Sequence, residues 1–311
     1  MFHTFRVPGP PLSRYISELW IASSPGLPFC RERLLPDGRI TLVIPLTDSP
    51  ATLYEGPYGA PKERFTGPFI CGIHTRDITI DTATQKHVMG ASFLPGGSLP
   101  FLGGASRVLH NETLNLAEFW GDSSRVLYGQ LLAATDDAQR FSLLESALLQ
   151  QLIMSPHPAV VEAVARLTLN PAQRISPLAN ELGLGQRRFQ QIFTNTVGVP
   201  PKVFARLKRF SHLLHRTTNL QEADWSLMAL DNGYYDQAHL IRDFRAMSGM
   251  TPEAFLRSER RLIHHMPILP PGDCAALTPT TPERGATCAS PFAISCGVQT
   301  PFRTPSRTKA A

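Results

Sequence analysis

The spacing of apolar residues changes character near residue 110. Before that point the runs are short and interrupted by turns. Pro36-Asp37-Gly38 opens a turn, and the β-branched run over 40–46 that follows it reads as a strand. Residues 69–73, 76–80 and 87–94 read as further strands. Residues 93–104, FLPGGSLPFLGG, hold four glycines and two prolines, which predicts a loop folded back on Leu99, Phe101 and Leu102 as anchors. After Leu109 the period becomes helical. Leu116, Phe119 and Trp120 share one side. A helix is predicted over 137–154, with Phe141, Leu144, Leu148 and Leu152 in a stripe that Leu149 joins. Its surplus leucines offer a surface for pairing two chains. The SPHP run at 155–158 marks a domain joint.

Residues 159–266 are almost wholly helical in pattern, and one layout occurs in them twice. In the first, Ser176 is the expected N-cap and Pro177 the first helical residue. A short helix bearing Leu178, Ala179 and Leu182 follows, then a tight Gly183-Leu184-Gly185 turn. The next helix turns Phe189, Ile192 and Phe193 inward and leaves Gln186, Arg187, Gln190 and Gln191 outward. In the second, Asp224 or Ser226 caps a helix over 225–230, Asp231-Asn232-Gly233-Tyr234 is the turn, and Asp236 caps a helix bearing Leu240, Ile241 and Phe244 inside. Gln237, Ala238, His239 and Arg242 point outward. Gly183 and Gly233 lie 50 residues apart, and Phe193 and Phe244 lie 51 apart, as do Gly198 and Gly249. That near-constant offset is an internal repeat. The outward side chains include donors and acceptors able to reach base edges in a major groove.

Between the two units, Val203, Leu207, Phe210, Leu213 and Leu214 form an apolar stripe, with Lys202, Arg206, Lys208, Arg209 and Arg216 as its expected basic exterior. One long helix here would hold the units rigidly, so that their second helices enter successive major grooves about 34 Å apart. Charge supports the division. Residues 1–155 carry 12 lysines and arginines against 14 acidic residues, and residues 156–266 carry 14 against 9. A basic segment behind a slightly acidic one suits a polyanion-binding module attached to another domain. The stretch from Pro267 holds eight prolines and no amphipathic period, so 267–311 reads as a disordered tail.

Residues 160–262 resemble the AraC/XylS class of bacterial transcription regulators. The residues that carry the resemblance include Ile175-Ser176, Leu178-Ala179, Leu182-Gly183, Phe189, Ile192-Phe193 and Gly198. The most specific motif is GYYDQAHLIRDFRAMSGMTPEAF, from Gly233 to Phe255. The resemblance implies base-edge contacts from Arg187, Gln190 and Gln191 in the first unit, and from Ala238, His239 and Arg242 in the second. Three features depart from the pattern. Gly185 stands where a serine cap is usual, Ser226-Leu227-Met228-Ala229 is a variant of the family's second Ile-Ala helix, and Ala238 offers only shape or a contact to a thymine methyl. The first domain resembles the uncharacterised sensor-like domain often fused to such modules, through residues 11–20, 34–46, 72–80, 93–104 and 116–121. There Leu94 replaces an arginine common before the Pro-Gly-Gly.

The expected protein is therefore α+β with two domains. Residues 1–155 form a mostly β sensor or regulatory domain, cupin-like or a small barrel, with appended helices. Residues 156–266 form an all-α double helix-turn-helix. The implied function is sequence-specific transcription regulation in the bacterial cytoplasm. Double-stranded DNA is the partner, with a small-molecule effector and RNA polymerase as further partners, and the chain is a monomer or a homodimer. Whether it activates or represses is left open.

The alternatives are a DNA-targeted enzyme or cysteine-based damage sensor acting through Cys30 or Cys71 in the first domain, and a helical protein-interaction module. No Ser/His/Asp order, P-loop or dinucleotide glycine pattern appears, and neither catalysis nor a cofactor is expected. His3, His74, His87 and His110 are scattered. Only His74 and His87 stand to meet across neighbouring strands, so no metal site is expected. No run of 18 apolar residues and no secretory signal is present, which points away from the membrane.

Overall fold

The computed structural model describes residues 2–23, 31–82, 86–104, 106–218, 220–258 and 262–268. It is an α+β architecture, with a β-sheet domain followed by an all-α domain. Ten strands precede the helices: β1 (Phe2–Arg6), β2 (Ile16–Ser23), β3 (Arg31–Leu34), β4 (Thr41–Pro45), β5 (Ala51–Tyr54), β6 (Pro61–Phe65), β7 (Phe69–Cys71), β8 (Ile78–Asp81), β9 (His87–Phe93) and β10 (Thr113–Asn115). An eleventh, β11 (His265–Ile268), comes after the helical domain. One antiparallel sheet has the order β1-β2-β9-β4-β7-β10 and the other β11-β3-β8-β5-β6. The described pairing gives two sheets, each with its own outer strands, and does not show them closed into a barrel.

The strands expected at 40–46, 69–73, 76–80 and 87–94 form as β4, β7, β8 and β9, each shifted or shortened by a residue or more. His74 and His87 do not meet across neighbouring strands, because β4 separates β7 from β9. The glycine-rich loop after β9 folds back as expected, with Leu99, Phe101 and Leu102 all buried. The strand β11 pairs with β3 through Pro267 and Ile268. Those two residues therefore belong to a sheet, where a disordered tail was expected from Pro267 onward. Residues 269–311 lie outside the described part.

Three helices follow the first ten strands: α1 (Ala117–Trp120), α2 (Asp122–Ala133) and α3 (Asp137–Gln150). The last ends four residues short of the expected 154. It buries Phe141, Leu144 and Leu148, whereas Leu149 is exposed. The helical domain then runs α4 (Pro158–Leu169), α5 (Ile175–Glu181), α6 (Gln186–Val197), α7 (Pro201–Arg216), α8 (Trp225–Asp231), α9 (Gln237–Ser248) and α10 (Pro252–Leu256). One apolar core is shared by the larger sheet and these helices.

The two domains meet along α7. Lys208, expected on the basic exterior, is buried there, and its Nζ donates to the Asp37 carbonyl at 3.1 Å. The stripe of α7 is wider than its apolar spacing suggests, because the turn at 36–39 covers one more row of the helix. Burial drives the Lys208 pKa down to about 8. Burial works to raise that of Asp37, but Arg39, His264 and Lys208 together outweigh it and hold the carboxyl at about 2. Arg39 Nε donates to Asp37 Oδ2 at 2.7 Å and its backbone N–H to Oδ1 at 2.9 Å. Asp37 is thus a turn residue, and it stays charged well into the acid range.

Candidate nucleic-acid interface

The repeated layout is realised twice in space. In each unit a left-handed glycine closes the turn, Gly183 at φ +70° and Gly233 at φ +72°. The following N–H returns to the first helix: Leu184 donates to the Ala179 carbonyl at 3.0 Å, and Tyr234 to that of Ala229 at 2.9 Å. A second left-handed glycine ends each second helix, Gly198 and Gly249. Behind each lies an edge-on aromatic pair. Phe193 and Phe204 have centroids 5.7 Å apart, and Phe244 and Phe255 5.3 Å apart. An arginine ties each first helix to the helix before it: Arg166 to Glu181, and Arg216 to Asp231, both at 2.7 Å.

The N-caps differ from expectation in the first unit. Helix α5 begins at Ile175 behind Arg174, which makes no side-chain cap bond, so Ser176 and Pro177 lie inside the first turn. Burial of Ile175 draws the chain into the helix early. Pro177 is tolerated because an N–H in the first turn has no intrahelical partner to lose. Gly185 precedes α6 without a side-chain acceptor. In the second unit Asp224 accepts from the N–H groups of Ser226 and Leu227, and Asp236 accepts from that of His239 at 2.7 Å.

Gln186, Arg187, Gln190 and Gln191 are all exposed along α6, as are Gln237, Ala238 and Arg242 on α9. Two of the eight expected contact residues are engaged within their own unit. Gln237 Oε1 accepts from Ser226 Oγ at 3.0 Å. His239 is half-buried, its ring edge-on to Tyr234 at 5.3 Å and its Nε2 4.0 Å from Asp243 Oδ2. Tyr235, at 86% exposure beside the start of α9, has a prominence that the sequence reading missed. A large aromatic in a turn between two helices, with no apolar partner at helical spacing, was the available signal.

Arg206 and Arg209, expected on the basic exterior of α7, brace the second unit. Arg206 Nε donates to Asp243 Oδ1 at 3.0 Å, and Arg209 lies over the Tyr234 ring at 5.2 Å. Helix α7 crosses α9 at these positions, so these two basic side chains are engaged by protein partners.

The β-sheet domain touches the ends of both second helices. A Cβ on Gly198 would stand 2.9 Å from the Ser106 carbonyl oxygen. At the end of α9, Arg33 Nη1 donates to the Ser248 carbonyl at 2.6 Å, while its Nε lies 3.3 Å from Asp77. A cation is favourable at a helix C-terminus, where carbonyls lack partners. Beside α6 a cleft of about 470 Å³ opens between its exposed face and the 106–109 turn. Arg107 and His110 line it from the first domain; Arg187, Gln190, Gln191 and Asn195 line it from α6.

Burial pushes the Cys71 thiol up to about 12, whereas a reactive cysteine needs a lowered value. Cys30 lies outside the described residues. Among those described, no group of three or more His, Cys, Asp or Glu can hold a metal ion, and no helix is long and apolar enough to cross a membrane.

Two family models match separate parts of the chain. Residues 178–258 match a helix-turn-helix domain, and residues 4–115 match a domain of unknown function (DUF6597). Among solved structures, ToxT from Vibrio cholerae is similar at 12% identity, over 76% of this chain and 96% of that one, with a TM-score of 0.40. ToxT from Vibrio cholerae O395 is similar at 13% identity, over 76% and 95%, with a TM-score of 0.38. Unsaturated fatty acid bound ToxT from strain SCE256 is similar at 12% identity, over 76% and 93%, with a TM-score of 0.37. No curated protein matches the chain.

Proposed function

We propose that this protein is a sequence-specific DNA-binding transcription regulator of the AraC/XylS type, reading double-stranded DNA through α6 and α9. The reading is carried by one observation. Two helix-turn-helix units share their turn glycines, terminal glycines and aromatic pairs at a near-constant offset, and each presents an exposed polar face on its second helix. Arg187, Gln190 and Gln191 are the base readers of the first unit, with Gln186 at its entry. In the second, Arg242 reads a base, Ala238 meets a thymine methyl, and Gln237 and His239 orient the helix start. The β-sheet domain, which abuts the ends of both second helices, is the regulatory part.

Selection of bound duplexes from a random pool, with the full chain, tests this. The expected result is a motif of two short boxes about one helical turn apart. Arg242→Ala should then relax preference at one position, with an affinity cost of about 1–3 kcal/mol on the preferred site. No enrichment by folded protein at low salt overturns the reading.

A further inference from the structure

We infer that the DNA interface extends onto the β-sheet domain, through a backbone-phosphate contact made by Arg107. The inference rests on the DNA-binding reading above and deepens it. Arg187, Gln191, Thr194 and Gly198 are spaced three and four apart, so the cleft follows one face of α6 to its last turn. That face carries the expected base readers. The opposite wall is the 106–109 turn, so whatever α6 engages along this face must pass beside Arg107.

Charge favours an anion there. Arg107 and Arg187 face the cleft with His110, and no carboxylate lines it. Arg107 is exposed and has no side-chain partner among the described residues. It therefore stands apart from Arg33, Arg39, Arg206 and Arg209, which are all tied to protein groups. The turn that presents it is held firmly. Leu109 is fully buried, Ser106 Oγ lies 3.3 Å from Ser98 Oγ, and the Ser106 carbonyl packs against the α6 terminus at Gly198. A cation on a fixed turn loses little freedom when it meets a phosphate flanking the groove that α6 enters. Such contacts fix register on the duplex and carry no sequence information.

The test compares full-length wild type, Arg107→Ala, Arg107→Lys and Gln190→Ala on the selected duplex and on scrambled duplexes, across a salt series. Folding is checked by circular dichroism. Arg107→Ala should weaken binding on the order of fivefold, equally on all sequences, and lower the salt slope by about 1, as loss of one phosphate contact does. Arg107→Lys should keep the slope, and Gln190→Ala should change preference instead. An unchanged slope in Arg107→Ala, with Gln190→Ala still altering preference, overturns the inference and leaves the DNA reading standing. Tighter binding by Arg107→Ala would make the turn an obstruction and overturn it too. Inorganic phosphate, titrated at constant ionic strength, separates the two sources of anion. Saturable competition that depends on Arg107 would assign the cleft to a free anion and overturn the DNA contact. Absence of wild-type binding to any duplex removes the reading and the inference together.

Discussion

The two helix-turn-helix units share a skeleton and differ in what braces it. Turn glycines, terminal glycines, aromatic pairs and the arginine–carboxylate ties recur at offsets of 50 or 51 residues. The braces do not recur. The first unit has apolar Ile192 where the second has Asp243, and no side-chain cap where the second has Asp224 and Asp236. It packs closely on the β-sheet domain, with Gly198 against Ser106 and the Thr196 methyl 3.2 Å from where a Cβ on Gly96 would lie. The second carries ionic supports of its own, Asp243 with Arg206 and Tyr234 under Arg209. The shared features are those a tight turn and a close helix crossing demand. The supports vary with each unit's neighbours.

The strongest test addresses what is shared. Phe193 and Phe244 are both fully buried and both pack edge-on against a second phenylalanine. Truncation of either to alanine removes a full aromatic contact set, and each should cost about 3–5 kcal/mol in chemical denaturation. Two costs within about 1 kcal/mol of each other would mean that the repeat is energetic as well as geometric. A much smaller cost at Phe193 would show that the β-sheet domain carries the first unit.

A smaller effect isolates what is not shared. Arg206→Ala leaves Asp243 buried with its Oδ2 already lacking a hydrogen-bond partner. Breaking a buried pair is costly, but the Arg206 side chain is 34% exposed, so about 2 kcal/mol is expected. Amide exchange should quicken in α9 and not in α6. The double substitution Arg206→Leu with Asp243→Ile puts at 243 the apolar residue that the first unit has at 192 and gives it an apolar partner. It should restore stability to within about 1 kcal/mol of wild type, since an apolar pair of similar volume often replaces a buried ion pair without loss. Failure of that rescue would mean that the second unit needs the ion pair for more than filling space.

What the sequence disclosed follows the same division. The repeat was legible because glycine at positive φ and phenylalanine at a helix crossing are requirements that few other residues meet. The polar faces of α6 and α9 were legible by subtraction, once the inward residues were known. The braces were not. Arg206 and Arg209 look like surface arginines in a one-dimensional pattern, and only the crossing of α7 over α9 brings them to Asp243 and Tyr234. Lys208 misled for the same reason, because its cover comes from Asp37, 171 residues away. Arg107 was passed over since nothing in its own segment, SRVL, points to α6. Likewise β11 completes a sheet begun more than 200 residues earlier, which no local period could register.

The smallest effect separates capping from charge. Asp236 accepts from the His239 N–H at the start of α9, and Gly185 has no acceptor to offer α6. Asp236→Ala should cost about 1 kcal/mol of stability, and Gly185→Ser should add a few tenths. A carboxylate at a helix N-terminus also stabilises through the helix dipole, but under the proposed reading that end approaches DNA phosphates. Asp236→Asn keeps the cap, since Asn caps as well as Asp, and removes the charge. Its stability should stay within about 0.5 kcal/mol of wild type while its DNA affinity rises on every sequence and more so at low salt. Weaker DNA binding by Asp236→Asn would mean that the charge is needed to orient the start of α9. The difference between the two caps would then lie in recognition rather than in helix stability.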